Sequence, residues 1–238
     1  MAAIEGRDGA APNGAALASF LGAGIGAFAM GVMVILNEAG LFVAPALYAP
    51  AGGVSGRTTF AALIWVMGNH DDREMMTRCL FPQSKPLALY NFIFEHKGVQ
   101  FIFMDWGPES KAVFLPETRQ FLSQALQSEL PSVIVCHQHV KAIGVHWLDE
   151  FLADELDQFW DIVAAPGVRE KVLGILCGHV HITYQDEYKG IQILGLRSTA
   201  YPFAESEQKF QIILAPPHYR FVSIQNGILT SRIYKVVI

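Results

Sequence analysis

Three short polar clusters, each directly after an apolar run, hold the residue types that could do chemistry in this chain. They are GNHD at 68–71, HQH at 137–139 and GHVH at 178–181, and they follow the runs IWVM, SVIVC and VLGILC. Imidazole nitrogens and amide oxygens are ligands that suit Zn, Mn, Fe or Ni. In a sheet covered on both faces, ligand sites form where strands end and loops begin. The clusters therefore predict a metal site at one edge of a sheet.

The order of the clusters carries more weight than any one of them. An Asn-His pair or a His-x-His triplet arises by chance, and a single histidine is most often an ordinary core or surface residue. Here GNHD and GHVH occur in one chain with a strand-terminal histidine between them, which chance explains poorly. The glycines before Asn69 and His179 permit tight turns that direct the next side chain back toward the strand ends.

The elements that must position these clusters can be predicted from hydrophobic patterns. Four apolar runs predict strands buried on both faces, at 99–106, 132–136, 171–177 and 191–196. Pro116 opens a predicted helix through Glu129, and hydrophobic residues at helical spacing predict another over 148–164. Residues 219–237 predict two strands joined by a hairpin turn at Asn226-Gly227. We expect the first three strands to be neighbours, with both helices on the outer faces of the sheet.

The start of the chain has a different texture. Residues 1–14 are small and polar and are predicted to be disordered. Residues 15–36 contain no charged residue, and they predict one apolar helix long enough to span a bilayer core. Residues 37–57 hold several prolines and glycines and predict a linker. The apolar run at 58–67 fits either a buried strand or the start of a second membrane helix, because its length does not decide between them.

Two other structures fit the apolar segment at 15–36. It could be a buried core helix or the apolar part of a signal peptide. A signal peptide fits badly, because the run is longer than a typical signal core and the preceding residues are nearly neutral. The membrane helix is the preferred prediction, and it implies membrane association through residues 15–36.

Bulk composition excludes some classes of function. The net charge of −5 and the pI near 5.9 leave no basic surface for nucleic acid. The three cysteines form no CxxC pair, so a disulfide framework is not expected and a reducing compartment fits better. The predicted location of the domain at 58–238 is therefore the cytoplasm, with a membrane anchor in the case where residues 15–36 span the bilayer.

The set of motifs resembles a known family. GNHD, a strand-terminal histidine and then GHxH form the later half of the calcineurin-like metallophosphoesterase pattern, and the branch most resembled is the class III cyclic-nucleotide phosphodiesterases. The similarity extends beyond the clusters, to GNHDDR at 68–73, VIVCHQHVKAIGVHWLDE at 133–150 and LCGHVHITYQDEYKGIQILGLRSTA at 176–200. The resemblance implies an α/β fold, namely a truncated calcineurin-like phosphoesterase β-sandwich flanked by helices. It occupies residues 58–238 as a partial domain and follows the N-terminal apolar helix.

The resemblance also implies the metal ligands. Asn69, His137 and His179 match ligands of the second metal, and His181 matches a ligand of the first. His137 is preferred over His139 because it directly follows the strand. The family commonly has His-His-Pro-Pro at this place, so the sequence CHQH at 136–139 departs from the pattern.

Substrate contacts follow from the same resemblance. His70 matches the histidine that contacts the substrate phosphate and protonates the leaving oxygen, so it is the predicted catalytic residue. Arg73 and His139 join His70 in the predicted substrate-binding set. The implied substrate is a small phosphodiester or a nucleotide, and a cyclic nucleotide is the specific candidate.

Two motifs of the family pattern do not occur in the sequence. The pattern begins with Asp-x-His and Gly-Asp, which supply two ligands of the first metal and the carboxylate that bridges both metals; neither motif is found in the 238 residues. We do not expect Asp71, Asp72 or Asp105 to replace that bridge. The predicted cofactor is therefore one weakly bound divalent ion, Mn, Fe or Zn, rather than two.

The resulting prediction is a metal-dependent phosphodiester hydrolase with impaired activity. The same prediction includes activity in a homo-oligomer, in which a second copy of the chain supplies further metal ligands. Two alternatives remain open at this point: a catalytically inactive fusion, and a membrane-tethered module that binds metal or a partner protein.

Overall fold

The computed structural model describes residues 66–80, 89–109, 111–198, 202–205, 209–216 and 218–235. The predictions for residues 1–14, 15–36 and 37–57, and most of the run at 58–67, lie outside the described residues. No helix within the described ranges is long and apolar enough to cross a membrane.

Six strands form the main sheet, in the order β1-β2-β3-β4-β6-β5. They are β1 (Phe92–His96), β2 (Val99–Met104), β3 (Ser132–Cys136), β4 (Val172–Cys177), β5 (Tyr184–Tyr188) and β6 (Ile191–Gly195). The inner strands β2, β3, β4 and β6 are parallel, and the edge strands β1 and β5 pair antiparallel to their neighbours. The predicted neighbours 99–106, 132–136 and 171–177 are confirmed as β2, β3 and β4. The molecule is thus a mixed α/β protein.

One face of the sheet is covered by two helices. The described α-helices are α1 (Arg73–Leu80), α2 (Pro116–Ala125), α3 (His146–Asp149) and α4 (Leu156–Val163). The two that cover this face are α2 and α4. Leu122 from α2 and Phe159 from α4 lie in one buried cluster with the strand residues Ile134 and Ile175. Helices α2 and α4 therefore pack on the same face. The prediction that they lie on the two outer faces is wrong in that respect.

A hairpin covers the opposite face of the sheet. Strands β7 (His218–Gln225) and β8 (Ile228–Lys235) pair antiparallel, and Leu229 packs against Val133 and Leu194 of the main sheet. The turn residues Asn226 and Gly227 have φ angles of 52° and 75°. Positive φ at both central positions is the two-residue turn whose twist matches a hairpin. The predicted hairpin and its turn are confirmed.

The single helix predicted over 148–164 is wrong, because the chain is broken between α3 and α4. Asp154 donates its N–H to the Ala112 carbonyl at 2.8 Å and accepts from the Phe114 N–H at 3.2 Å. Glu155 then takes a left-handed conformation with φ 62°. The strand-like contact with residues 112–114 occupies the backbone groups that a continuous helix would need. The hydrophobic residues do recur at helical spacing, but they pack into two separate buried clusters, one with α3 and one with α4.

The helix predicted from Pro116 also ends earlier than Glu129, at Ala125. The Lys171 ammonium donates to the Ser128 carbonyl at 2.8 Å and to the Leu126 carbonyl at 3.4 Å. A cation at this position satisfies carbonyls that lie just beyond the helix end. The predicted start at Pro116 is confirmed.

Arg220 ties the hairpin to the edge of the main sheet, and this contact can be tested. It donates to the carbonyls of Tyr184 (3.1 Å) and Gly195 (2.8 Å) and to the Ser231 hydroxyl (2.8 Å). We expect Arg220→Met to lower the free energy of unfolding by about 1–3 kcal/mol, because it leaves these acceptors without their donor. Urea denaturation measures this. Arg232→Met, on an exposed position of β8, is the matched control and should change stability by less than about 0.5 kcal/mol.

Candidate functional site

The ends of β3 and β4 bring two of the three polar clusters together. Cys136 and Cys177, the last residues of these parallel strands, are paired in register. The loops that follow therefore leave the sheet side by side. The Gly178 N–H donates to the His137 carbonyl at 2.9 Å, which joins the loops directly.

The third cluster lies against His137. A Cβ placed on Gly68 would be 3.0 Å from His137 Cε1, so the backbone at residue 68 lies against the imidazole, and a side chain there would require the imidazole to shift by a few tenths of an ångström. Asp71 closes this turn: its carboxylate accepts from the Gly68 N–H at 2.7 Å. The glycine in GNHD therefore permits this close approach.

Three potential ligand atoms converge at this place. His137 Nε2 lies 2.9 Å from Asn69 Oδ1 and 3.3 Å from His179 Nδ1. Two ligands bound to one ion at about 2.0–2.1 Å are separated by about 2.9–3.4 Å in octahedral or tetrahedral geometry. The observed spacings match those of ligands sharing one ion. No group of three His, Cys, Asp or Glu residues within the described ranges is placed to hold a metal, and the convergent set is instead two imidazoles and one amide.

The GHVH loop directs two imidazoles toward one cavity. His179 and His181 have φ angles of 64° and 52°, which are uncommon for residues other than glycine. Between them, Val180 is fully buried in a hydrophobic cluster with Leu148. Left-handed non-glycine residues cost about 1–3 kcal/mol each and tend to occur at functional sites. The buried valine holds the loop in this conformation.

A cavity of about 340 Å³ opens beside these residues. Its polar lining is Asn69, His70, His137, His179 and His181, and its apolar lining is Trp147, Leu148, Phe151, Phe203 and Phe210. All four predicted metal ligands and His70 thus border one space. Among the described residues, no carboxylate lines it.

Burial keeps the imidazoles neutral. The pKa of His137 is lowered to about 3, chiefly by burial and then by the neighbouring His179 and His181. The pKa of His179 falls to about 4, again chiefly because of burial, and then because of His139 and His181. Neutral imidazole is the form that binds a metal ion.

Several bacterial enzymes are similar to this chain. A 3′,5′-cyclic adenosine monophosphate phosphodiesterase CpdA of Vibrio vulnificus is 28% identical over 185 residues, covering 74% of this chain and 64% of the relative. A probable cyclic nucleotide phosphodiesterase of Psychrobacter is 32% identical over 184 residues, covering 72% and 53%. The Escherichia coli K12 CpdA is 24% identical over 185 residues, covering 74% and 64%.

The chain is related to cyclic nucleotide phosphodiesterases. The predicted resemblance to the class III enzymes of the calcineurin-like family is thereby confirmed. The chain spans less than two thirds of the length of these phosphodiesterases. No family model matches the chain.

Arg73, predicted to bind substrate, points away from the cavity. It opens α1, directly after the GNHD turn, and its guanidinium forms a two-pronged ion pair with the fully buried Asp105. Asp105 also accepts the N–H groups of Tyr90 and Gly107, both at 2.9 Å. Arg73 therefore fastens the turn that carries Asn69 to the end of β2. It does not line the cavity in the part of the chain that the structure describes.

His139, the other predicted substrate contact outside the GNHD turn, is buried behind His179. Its ring stacks on the His179 ring, with the centroids 5.7 Å apart and the planes at 13°. The side chain is inaccessible to solvent, and neither ring nitrogen has a hydrogen-bond partner. Burial lowers the pKa of His139 to about 4. The geometry gives His139 a supporting place beneath a candidate ligand.

The apolar wall of the cavity was not found from the sequence. Trp147 lies in α3, whereas Phe203 and Phe210 lie in the connection between β6 and β7, and no local pattern connects Trp147 with them. Trp147 lies within the stretch 133–150 that resembles the family, which was the only available signal. The three carboxylates considered as bridges are all engaged elsewhere: Asp71 with Gly68, Asp72 with Met75 and Asp105 with Arg73.

The Arg73–Asp105 pair yields a stability prediction. Asp105→Asn should lower the free energy of unfolding by about 3–5 kcal/mol, because it leaves a buried guanidinium without its counter-charge. Denaturant unfolding measures this. Asp72→Asn is the control, since the amide oxygen still accepts from the Met75 N–H. Equal stability of the two variants would contradict the buried-pair interpretation.

The lowered histidine pKa values predict how stability depends on pH in metal-free buffer. Unfolded histidines titrate near pH 6.5, whereas His137, His139 and His179 titrate at about 3 to 4 in the fold. Between these values the unfolded chain binds more protons. Their contribution is therefore complete above about pH 6.5 and is lost as pH falls toward 4.

Thermal or urea unfolding between pH 7.5 and 4.5 tests this. His139→Phe should reduce the dependence on pH by about one proton, or about 1.4 kcal/mol per pH unit across the window. His146→Phe is the control, because that side chain is 81% exposed. An unchanged slope in His139→Phe would refute the assignment.

Proposed function

We propose that this chain is a metal-dependent phosphodiester hydrolase of the calcineurin-like type, with one divalent ion held by Asn69, His137 and His179. The observation that carries the proposal is the convergence of these three ligand atoms at separations of 2.9 and 3.3 Å. A catalytic site commonly keeps three protein ligands and one open position. The open side of this set faces the cavity.

The donor set supports one ion rather than two. Imidazole and amide ligands suit Zn, Mn or Fe, and burial keeps both imidazoles in the neutral form that binds metal. His181 would be the single described ligand of a second ion. Two dications about 4 Å apart repel strongly unless an anion lies between them, and no carboxylate lines the cavity within the described ranges. Binding of one ion, and weakly, follows from this charge balance.

The chain's own groups have distinct tasks in this proposal. A divalent ion, when bound, supplies Lewis-acid activation of a phosphoryl oxygen. His70 borders the cavity next to Asn69 and is exposed, so it can contact the phosphate and protonate the leaving oxygen. His181 borders the same space and can donate to a phosphate oxygen. Arg73 acts as a positioning residue through its pair with Asp105.

The substrate class we infer is a nucleotide phosphodiester, with a cyclic nucleotide as the specific candidate. The similarity of the chain to cyclic nucleotide phosphodiesterases supports this class. The main sheet with its covering hairpin is consistent with a calcineurin-like fold. Turnover should fall well below the ~1–10³ s⁻¹ typical of enzymes, because no carboxylate among the described residues lines the cavity to fix a metal pair. A homo-oligomer that supplies a further ligand would raise it.

Metal titration tests the ligand set directly. Co²⁺ added to the purified chain should bind at about one ion per chain, with the visible absorption of a nitrogen- and oxygen-ligated centre. His137→Ala and His179→Ala should each weaken binding by at least ~10-fold, because each removes one of three ligands. His146→Ala is the control. Binding unaffected by the two ligand variants would refute the centre.

Hydrolysis is measured on the same samples with bis(p-nitrophenyl) phosphate and 3′,5′-cyclic AMP. Slow turnover that requires added metal and is lost in His137→Ala supports the hydrolase. One bound ion with no turnover would instead support the alternative of an inactive metal-binding chain. Two tightly bound ions with ordinary enzyme turnover would contradict the one-ion proposal.

A further inference from the structure

Three aromatic rings form one wall of the cavity. The Phe203 and Phe210 centroids are 5.1 Å apart, and the Trp147 ring lies 5.3 Å from Phe203 and 5.4 Å from Phe210. The ring planes meet at 60° to 86°, which is the edge-to-face arrangement that stabilises aromatic clusters. We call these three residues the aromatic wall.

The aromatic wall begins at the candidate metal site. Phe203 stacks on the His181 ring, with centroids 4.3 Å apart and planes at 21°. The imidazoles therefore occupy one end of the cavity and the aromatic wall the other. A ligand with a phosphate at the imidazole end would extend its remaining part along these rings.

The wall is open to a ligand. Phe210 is 55% exposed although it borders a cavity, and Phe151 on the same cavity is 37% exposed. A cavity of about 340 Å³ falls in the range of roughly 300–1,000 Å³ that small-molecule sites occupy. Such sites combine a mostly apolar lining with a few polar groups, which is the composition found here.

We propose that Trp147, Phe203 and Phe210 bind the base of a nucleotide phosphodiester by stacking. This proposal rests on the proposed function, because it places the phosphate at the imidazole end. No carboxylate among the described residues lines the cavity, so it offers no counter-charge to a cationic ligand. An alkyl ligand would need apolar area but no ring faces. Replacing an aromatic residue of the wall by an aliphatic one therefore distinguishes a stacked base from an alkyl ligand.

The wall also determines a pattern of specificity. Its ring faces carry no polar groups that could pair with the edges of a base. Stacking on aromatic side chains tolerates any base, because every base has a π-face. We therefore expect cyclic AMP and cyclic GMP to bind within a few-fold of each other and cyclic CMP to bind more weakly, since the larger purine stacks over more area.

The experiment measures binding of 3′,5′-cyclic AMP to the metal-loaded chain by calorimetry. Phe210→Ala should weaken it by about 5- to 150-fold, the factor that corresponds to one lost stacking contact. Phe210→Leu should lose most of the same factor, and Phe210→Tyr should keep wild-type affinity. Phe221→Ala is the matched control, because Phe221 is 59% exposed on β7 and does not line the cavity.

Binding of dimethyl phosphate tests the phosphate end of the cavity without the aromatic end. Its binding should be unchanged in all Phe210 variants, because it has no base. Equal loss of both ligands in Phe210→Ala would overturn the proposal and indicate general damage to the cavity. Wild-type affinity in Phe210→Leu would also overturn it, since apolar contact would then suffice.

Adenosine distinguishes failure of this proposal from failure of the proposed function. Adenosine has no phosphate, and its binding to the metal-free chain is followed by quenching of tryptophan fluorescence. Quenching by adenosine that is lost in Phe210→Leu supports the stacking site. If, in addition, neither phosphodiester binds, only the proposed function fails. No quenching at millimolar adenosine, together with bound dimethyl phosphate, overturns the stacking site and leaves the phosphate site standing.

Discussion

The in-register parallel pairing of β3 with β4 is the constraint on which the candidate site depends. Cys136 and Cys177 end their strands side by side, so the two histidine loops must leave the sheet at the same edge. The hydrogen bond from Gly178 to the His137 carbonyl then fixes their separation. A shift of one residue in this register would turn every side chain to the other face of the sheet, and His137 would no longer meet His179.

Desolvation explains why the imidazoles of this site are held in the neutral form. His137 and His179 are buried, and burial disfavours the charged form of each imidazole. Two neutral imidazoles and one amide oxygen are therefore held close together. The apolar clusters below the loops, which contain Val180 and Leu148, hold these residues in place although the local backbone is strained.

The same cavity has two chemically different ends. The imidazole end is compact and polar, whereas Trp147, Phe203 and Phe210 give the other end broad aromatic surfaces. Nothing negatively charged separates them among the described residues. In the proposed function, this arrangement would place the anionic part of the ligand at the imidazoles and its flat ring on the aromatic residues.

The sequence by itself determined the four inner strands of the main sheet, the hairpin and the order of the ligand clusters, because these depend on local patterns. Alternating apolar runs and the Asn226-Gly227 pair are read within a few residues. Only the tertiary structure decided that α2 and α4 share one face, that residues 148–164 break at Asp154, and that Arg73 turns toward Asp105. Each of these depends on a contact between residues far apart in the chain. The aromatic wall is the clearest case, because Trp147 and Phe210 are far apart in the chain and become neighbours only in the folded structure.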